Sequence, residues 1–226
     1  MRRETPRAWR LALRPPDWSG HLPGQHVDIR LTAPDGYTAQ RSYSIASPPD
    51  RPGVELVVER LVDGEVSTYL TGELRAGDQI ELRGPIGGYF VWPNPVDAPV
   101  QMIAGGSGVV PFLGMVARAT DAGVPVRLLY SARNADDVIG RDELERSGTA
   151  VTIAYTRAGP PGWTGPIGRV DATVLAASTV AADARPHVLV CGPTAFVEAV
   201  TGWLTDLGHE PGRIRAERFG GMGDPP

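Results

Sequence analysis

Residues 100–111 read VQMIAGGSGVVP, a mostly apolar run that leads into a glycine-rich turn. Pro111 is tolerated in the first turn of a helix, so the segment predicts a strand, a tight turn and then a helix. Backbone amides left bare by glycine, at the positive end of a helix, favour binding of a pyrophosphate or a ribose. Pro111 also takes the place of the third glycine in the usual dinucleotide fingerprint. A turn that only packs the helix on the strand therefore remains an alternative.

The same alternation of strand and helix continues toward the C-terminus. Apolar runs alternate with segments of helical spacing, which predicts a parallel sheet covered by helices on both faces. Such sheets bind ligands at the carboxyl ends of their strands. The predicted strands are Val100–Ala104, Val126–Tyr130, Val151–Tyr155 and Val188–Val190, and the predicted helices are Pro111–Ala122, Arg141–Ser147 and Thr194–Leu207.

The N-terminal part of the chain has a different pattern, in which short β-like runs are separated by Pro-Gly, Asp-Gly and Ala-Gly-Asp turns. This pattern predicts an antiparallel β-barrel or sandwich. One short helix fits Val66–Glu73, with Ser67 or Thr68 available to cap its first turn. The predicted strands are Val27–Leu31, Arg41–Ile45, Val54–Leu61 and Gln79–Leu82.

Three prolines separate the two patterns. Pro93, Pro95 and Pro99 lie within eight residues and discourage regular structure. The length of 226 residues suits one large domain or two small ones. We therefore predict a β domain over residues 1–97 and an α/β domain over residues 98–226.

Composition and charge exclude several classes of protein. With 42% hydrophobic and 21% charged residues the chain can bury a core, and its 28 glycines and 22 prolines are expected in turns. The single cysteine excludes an internal disulfide or an all-cysteine metal site and favours a cytoplasmic protein. A net charge of -4 indicates neither nucleic acid nor membrane as a partner. The apolar stretch Trp9–Leu13 is too short for a signal peptide. No metal-ligand spacing is found among the histidines His21, His26, His187 and His209.

Three further motifs are candidates for a site, each with a simpler alternative. In Arg41-Ser42-Tyr43-Ser44 the arginine can bind a phosphate and the aromatic can contact a flat ligand, although an ordinary strand with an exposed arginine has the same pattern. Cys191-Gly192-Pro193 follows an apolar strand, and its cysteine is either a site residue or a small buried hydrophobe. The last motif, Glu217-Arg218-Phe219, either contributes to the site or docks the end of the chain.

Together these motifs resemble the ferredoxin–NADP reductase family. They occur in the order and approximate spacing of that family, and the resemblance extends from about Pro23 to Phe219. It implies a flavin-binding antiparallel β-barrel followed by a Rossmann-like α/β domain that binds a nicotinamide nucleotide. The motifs that carry it are Arg41-Ser42-Tyr43-Ser44, Gly84-Pro85-Ile86-Gly87, Gly105-Gly106-Ser107-Gly108 through Pro111, Cys191-Gly192-Pro193 and Glu217-Arg218-Phe219.

The resemblance implies a set of flavin-binding residues. Arg41 would hold the flavin phosphate, Tyr43 would stack on the isoalloxazine, and Ser44 would approach its N5 edge. Two phosphate contacts favour FAD over FMN. Phe219 would cover the flavin face, and the chain continues beyond it with Gly220 to Pro226, an extension expected to alter access. The remaining implied flavin contacts are Ser42, Val58, Glu59, Arg60, Gly64, Val66, Ser67 and Thr68.

A nucleotide site follows in the same way. Thr156 and Arg157 lie where NADP-specific relatives carry a hydroxyl and an arginine for the 2′-phosphate, so NADPH is favoured over NADH. Trp163 would stack on the adenine, in place of the lysine and tyrosine of plant-type members. The other implied nucleotide contacts are Gly106, Ser107, Gly108, Arg133, Cys191, Gly192 and Pro193.

The implied reaction is hydride transfer from NADPH to bound FAD, followed by electron transfer to a separate acceptor protein such as a ferredoxin. Ser44, Cys191 and Glu217 would line the meeting point of the two cofactors. Cys191 would act by contact, since no partner histidine is evident nearby. Two alternatives remain: reduction of free flavin or a small quinone, or service as the reductase subunit of a larger metalloenzyme complex.

Overall fold

The computed structural model describes residues 1–220. Residues 221–226, most of the extension expected to alter access, lie outside the described residues. Eleven strands and five α-helices follow one another in this part of the chain. The strands are β1 (Arg2–Arg3), β2 (Ala8–Leu13), β3 (His26–Thr32), β4 (Thr38–Ser44), β5 (Val54–Glu59), β6 (Glu81–Ile86), β7 (Val100–Gly105), β8 (Val126–Asn134), β9 (Ala150–Ala158), β10 (His187–Pro193) and β11 (Ile214–Phe219). The helices are α1 (Glu65–Gly72), α2 (Val110–Ala122), α3 (Arg141–Arg146), α4 (Ala172–Ser178) and α5 (Thr194–Asp206).

The N-terminal half is an antiparallel β structure, as predicted. Its strands form two three-stranded sheets, in the orders β1-β2-β5 and β4-β3-β6. An antiparallel bridge between Ile45 and Leu56 joins the sheets, so both wrap one core. Alternation along each strand supplies that core, in which Val27, Ile29 and Leu56 are fully buried.

The start of α1 differs from the prediction that Ser67 or Thr68 caps it. The N-cap residue is Gly64, and no side chain caps the helix. The Ser67 and Thr68 hydroxyls donate to the Gly64 carbonyl at 3.1 and 2.8 Å. The Ser67 Oγ atom accepts from the amide of Leu61, a residue before the helix, at 3.2 Å, and neither hydroxyl accepts from a free amide of the first turn. The capping prediction is therefore wrong.

The C-terminal half is a five-stranded parallel sheet in the order β11-β10-β7-β8-β9. Met102 and Ile103, consecutive residues of β7, lie in different core clusters because their side chains point to opposite faces. Both faces of the sheet are thus covered, as predicted. Sequence reasoning missed α4 and the edge strand β11, and it placed the strand at Gln79–Leu82 too early, since β6 is Glu81–Ile86.

The two halves meet along a shared apolar contact. Residues 87–99, which connect β6 to β7, contain no strand or helix. The core cluster on one face of the parallel sheet extends into the β half through Ala46, Val57 and Phe90. Across this contact, a Cβ on Gly114 of α2 would lie 3.0 Å from the Ser47 carbonyl oxygen. Within residues 1–220, none of the helices is long and apolar enough to cross a membrane.

Candidate active site

The order of the parallel strands creates a crevice at their carboxyl ends. From β7 the chain continues to β8 and β9 on one side, whereas β10 and β11 lie on the other side. Ala104 of β7 and Cys191 of β10 are register partners at this edge. Parallel sheets bind ligands at such switch points. The crevice between the ends of β7 and β10 is therefore the candidate site.

Three glycines at the crevice permit close packing. A Cβ on Gly108 would lie 2.2 Å from the Cys191 carbonyl oxygen, which no side chain can tolerate. On Gly105 and Gly192 it would lie 2.8 and 2.7 Å from the Phe196 ring. Close packing of the helix on the strand therefore accounts for Gly105 and Gly108 of the glycine-rich turn, and also for Gly192 of β10.

Gly106 differs from its neighbours in the same turn. Its φ of 55° lies in the left-handed region, and a Cβ there would meet nothing within 4 Å. Gly106 is exposed and Ser107 is half-buried, so the backbone at the start of the 3-10 turn Gly106–Val109 is open. This is the part of the turn that can approach a ligand.

Cys191 and Glu217 lie side by side behind this turn, as register partners on β10 and β11. Cys191 is 2% exposed, and burial, reinforced by the Glu217 charge, raises the pKa of its thiol well above the ordinary value. The thiol is therefore neutral and a poor nucleophile.

The Glu217 carboxyl is the unusual polar group of the crevice. Burial raises its pKa to about 7. Its Oε2 atom is buried and has no hydrogen-bond partner among residues 1–220. Buried acceptors in native proteins are almost always paired, so this oxygen indicates a place for a ligand or water donor. Near neutral pH the carboxyl can hold or release a proton.

Phe219 ends β11 opposite Pro193 of β10. Its ring is 37% exposed, and the Thr194 hydroxyl donates to the carbonyl of the next residue, Gly220, at 3.3 Å. An ion pair of 2.6 Å between Arg218 and Glu198 ties the strand end to α5. The aromatic is thus presented at the carboxyl edge of the sheet instead of docking a loose tail.

The second group of predicted residues lies on β4. Arg41 is exposed, and among residues 1–220 its side chain donates only to the neighbouring Gln40 carbonyl, from Nη1 at 2.7 Å. Tyr43 is half-buried, and burial, partly offset by the Arg41 charge, raises its pKa to about 12, so the phenol is neutral. Ser44 is half-buried at the strand end, whereas the Ser42 hydroxyl already donates to Asp28 at 2.6 Å. Arg41, Tyr43 and Ser44 keep polar or aromatic groups available to a ligand.

The remaining residues predicted to contact the flavin mostly have other partners or buried side chains. The Val58 and Val66 side chains are buried in the β core, so only their backbone can contact a ligand. Glu59 ends β5 and the exposed Arg60 follows it. With the Ser67 and Thr68 hydroxyls bonded to Gly64, the backbone amides at the start of α1 are the groups free to bind an anion.

The predicted nucleotide residues lie on the other side of the crevice. Arg133 is exposed within β8, and Arg157 is exposed near the end of β9 beside the half-buried Thr156. The Trp163 ring packs edge-on against the Tyr155 ring, with 4.9 Å between the ring centroids, and its Nε1 donates to the Pro166 carbonyl. Arg133, Thr156 and Arg157 lie within strands β8 and β9 instead of after them, because both strands extend further than predicted.

One group of residues was missed by sequence reasoning. Arg7 and Arg10, near the N-terminus, make ion pairs with Asp137 and Glu143 of the α/β half at 2.9 and 2.7 Å. Partners 130 and 133 residues apart leave no signal in the local pattern. These contacts tie the two halves together.

One depression on the described surface lies away from these groups. It has a volume of about 800 Å³ and is lined by Val100, Arg127 and Ala150, at the amino ends of β7, β8 and β9. It faces the edge of the sheet opposite the crevice, and Arg127 is the one charged residue in its lining. The convergent polar groups therefore favour the crevice.

Comparisons with known proteins agree with this geometry. Residues 4–91 match the oxidoreductase FAD-binding domain, and residues 102–202 match the oxidoreductase NAD-binding domain. NADH-cytochrome b5 reductase 1 of Coccidioides immitis is 33% identical over 91% of this chain and 71% of its own length. A glycine betaine monooxygenase reductase subunit of Chromohalobacter salexigens is 33% identical over 88% of this chain, which spans 56% of that relative.

The fold is shared with solved structures as well. The FAD/NAD-binding domain of nitric oxide dioxygenase from Vibrio cholerae superposes with a TM-score of 0.85, covering 97% of this chain and 95% of that one at 24% identity. Both halves of the chain are thus accounted for by one two-part architecture. The chain belongs to the ferredoxin reductase-like family of flavoproteins, which bind FAD and use NAD(P)H as reductant.

Proposed function

We propose that this protein takes reducing equivalents from NADPH onto bound FAD and passes electrons to a separate redox protein. The observation that carries the proposal is the convergence at one crevice. The segment after Ser44 packs on α2, the helix that follows the glycine-rich turn, and the orphaned Glu217 oxygen lies beside Cys191 at the end of the same sheet.

The residues present fit a flavin dinucleotide. Arg41, which has only a neighbouring carbonyl as partner, would bind one phosphate, and the uncapped amides of α1 would bind the other. Tyr43 would lie against the flavin ring and Ser44 near its reactive edge. When bound, FAD accepts a hydride from the nicotinamide and releases electrons to an acceptor.

Where the nicotinamide and the flavin would meet, the chain supplies a side chain that positions the nicotinamide and a carboxyl group that can hold a proton. Cys191, as a neutral thiol, would form a wall that positions the nicotinamide over the flavin. The Glu217 Oε2 atom would exchange a proton with a donor at the crevice, because its pKa of about 7 makes both forms available. Phe219 would cover the flavin face when no nucleotide is present.

Arg157 supports NADPH as the preferred nucleotide. It is exposed at the end of β9, and no Asp or Glu follows it before Asp171 to hold a free 2′-hydroxyl. Arg133 on the neighbouring strand would contact the ribose or pyrophosphate. The name of the Coccidioides relative specifies NADH, so the NADPH preference depends on Arg157 in this chain.

The acceptor would be a separate protein, a ferredoxin or another redox carrier. The Coccidioides relative is named for cytochrome b5 and the Chromohalobacter relative for a glycine betaine monooxygenase. The Chromohalobacter relative is named as a reductase subunit, which favours the alternative that this chain acts as the reductase of a larger oxygenase-type assembly. Copurification with a metalloprotein, together with negligible activity of the chain alone, would favour that alternative.

The domain boundary at residues 97 and 98 and a cytoplasmic location are part of the proposal. The irregular segment 87–99 supports the boundary, and the single buried cysteine is compatible with a reducing compartment. Limited proteolysis between residues 87 and 99 and cell fractionation would test these two points.

One experiment tests the function directly. The absorbance spectrum of the purified protein, reconstituted with FAD, is followed during anaerobic titration first with NADPH and then, on a fresh sample, with NADH. We expect flavin bands that bleach at lower concentrations of NADPH than of NADH. A protein that binds no flavin after addition of FAD would overturn the proposal.

A further inference from the structure

Two arginines near the N-terminus bridge the halves of the molecule. Arg7 contacts Asp137 at 2.9 Å and Glu59 at 3.9 Å. Arg10, on β2, contacts Glu143 at 2.7 Å and Glu55 at 3.0 Å. Each arginine thus joins an acid on β5 of the β half to an acid that follows β8 in the α/β half. We call Arg7, Arg10 and these four acids the two-arginine clamp.

Arg10 is the buried member of the clamp. Its side chain is 5% exposed, and Glu4 adds two more contacts of 3.1 and 3.2 Å. Burial alone would raise the pKa of Glu4, but its hydrogen bond to Arg10 and the charge of Arg10 outweigh that effect and lower the pKa. The opposing charges raise the pKa of the guanidinium above its ordinary value. A buried guanidinium that is paired with three carboxylates holds these carboxylates in place.

The two ends of the clamp lie close to the proposed cofactor sites along the chain. Glu55 belongs to β5, which continues to the proposed flavin contacts Val58 and Glu59. Glu143 is in the first turn of α3. The segment before α3 begins directly after β8, whose end carries the proposed nucleotide residue Arg133. Glu4 also accepts a hydrogen bond from the Gly140 amide at 3.1 Å, which fixes the start of α3. The clamp therefore connects the flavin strand to the nucleotide segment.

We propose that Arg10 is a positioning residue, which sets the nucleotide half against the flavin half through its contact with Glu143. This inference rests on the proposed function. Hydride transfer requires the reacting atoms to approach to about 3–3.5 Å, and a displacement of about 1 Å can cost a factor of about 100 in rate. A contact that holds two halves in register, although it touches neither cofactor, can therefore control the transfer step.

The chain offers a matched pair of variants. Glu143→Gln removes the charge that pairs with Arg10 between the halves, whereas Glu55→Gln removes the charge that pairs with the same arginine within the β half. The two carboxylates are similarly exposed, at 35% and 30% of the side chain, and each replacement preserves shape. General loss of stability near Arg10 should be similar in both variants. Only Glu143→Gln should loosen the halves, because the pairing of β2 with β5 still holds Arg10 beside β5 when the Glu55 charge is removed.

The first measurement is stopped-flow reduction of the FAD-loaded protein at saturating NADPH, together with FAD affinity. We expect Glu143→Gln to lower the rate constant by about tenfold with unchanged FAD affinity. For Glu55→Gln we expect a rate constant within about twofold of the parent protein. If both variants reduce at the same rate, whether slow or fast, Arg10 does not act through Glu143 and the inference is wrong.

A second measurement does not depend on flavin chemistry. Hydrogen exchange of the backbone amides of residues 135–143 is compared in the parent, Glu143→Gln and Glu55→Gln proteins without nucleotide. Faster exchange in Glu143→Gln alone supports the clamp, and equal exchange in all three overturns it, even if the parent protein fails to oxidise NADPH. Asp137→Asn, which breaks the more exposed Arg7 contact, should give a smaller change in the same direction. No change in Asp137→Asn and in Glu143→Gln would likewise overturn the inference.

Discussion

Cys191 and Glu217 face the same crevice from neighbouring parallel strands, where they are register partners. The Glu217 charge adds to burial in raising the pKa of the Cys191 thiol. The Glu217 Oε2 atom has no partner among residues 1–220. The pair therefore combines an inert wall with a carboxyl that titrates near neutral pH, and each member can be tested separately.

Glu217→Gln should remove a pH-dependent loss of stability. Because burial raises the pKa of Glu217 from 4.5 to about 7, the folded protein binds a proton between these values that the unfolded chain has released. The free energy of unfolding of the parent therefore falls relative to the variant as pH rises through this window, by up to about 1.4 kcal/mol per pH unit. Urea unfolding of the FAD-free proteins at pH 5 and 8 measures the difference.

Glu198→Gln is the control for this experiment. Glu198 is an exposed acid on α5 and pairs with Arg218, the residue after Glu217. Its stability difference from the parent should change little between the two pH values. A Glu217→Gln profile parallel to that of the parent would show that the carboxyl is not protonated in the folded state.

Cys191→Ala should slow flavin reduction without releasing FAD. The substitution opens a gap in the proposed wall behind the nicotinamide, and a loosened approach of the reacting groups reduces the rate constant by about tenfold. Stopped-flow absorbance and FAD content are measured on the same samples. Val190→Ala deletes a side chain of similar size from the opposite face of the same strand, where it lies in the other core cluster. A decrease in both variants would indicate general loosening of the sheet.

Arg41→Ala should weaken FAD binding. Hydrogen bonds to charged groups contribute about 1.5–3 kcal/mol, so loss of a phosphate contact raises the Kd for FAD by about 10–100-fold. Fluorescence titration of the FAD-free protein gives the Kd. Arg30→Ala is the matched control, because Arg30 lies on the adjacent strand and is paired with Glu81 at 2.7 Å. Similar Kd values in the two variants would remove Arg41 from the proposed phosphate site.

The strands and helices with clear periodicity were predictable from sequence, and the long-range contacts were not. The central strand and the turn after it follow from apolar residues ended by glycine. In contrast, β2 reads AWRLAL, and its Arg10 interrupts the apolar pattern. That arginine is surrounded by the nearby Glu4 and by Glu55 and Glu143 from two distant segments, and no local pattern shows the distant contacts.

The candidate site residues stay predictions, and the sequence indicates their surroundings only in part, for a related reason. Residue types and spacing singled out Arg41, Cys191 and Glu217 through a family resemblance. The burial that raises the pKa of Glu217 depends on the edge strand β11, which the sequence pattern did not predict. Likewise, the hydroxyls of Ser67 and Thr68 are suitable anion ligands by type, yet the helix backbone at Gly64 occupies both.

Gly108→Ala should destabilise the fold and disturb the crevice. Its Cβ would lie 2.2 Å from the Cys191 carbonyl oxygen, and backbone on both sides must shift. Overpacking of this kind costs about 1–3 kcal/mol. Gly202→Ala is the control: Gly202 is exposed within α5, has nothing within 4 Å of an added Cβ, and should gain up to about 1 kcal/mol. Urea unfolding that shows no loss for Gly108→Ala would contradict the close approach.

Arg157→Ala should raise the KM for NADPH by about tenfold or more and leave the KM for NADH nearly unchanged, since only NADPH carries the 2′-phosphate that the guanidinium would bind. Steady-state reduction of ferricyanide with each nucleotide gives the two values. Arg133→Ala is the matched control, as an exposed arginine on the neighbouring strand. It would contact the ribose or pyrophosphate common to both nucleotides, so both KM values should rise together. Equal changes for the two nucleotides in Arg157→Ala would show that this side chain does not recognise the 2′-phosphate.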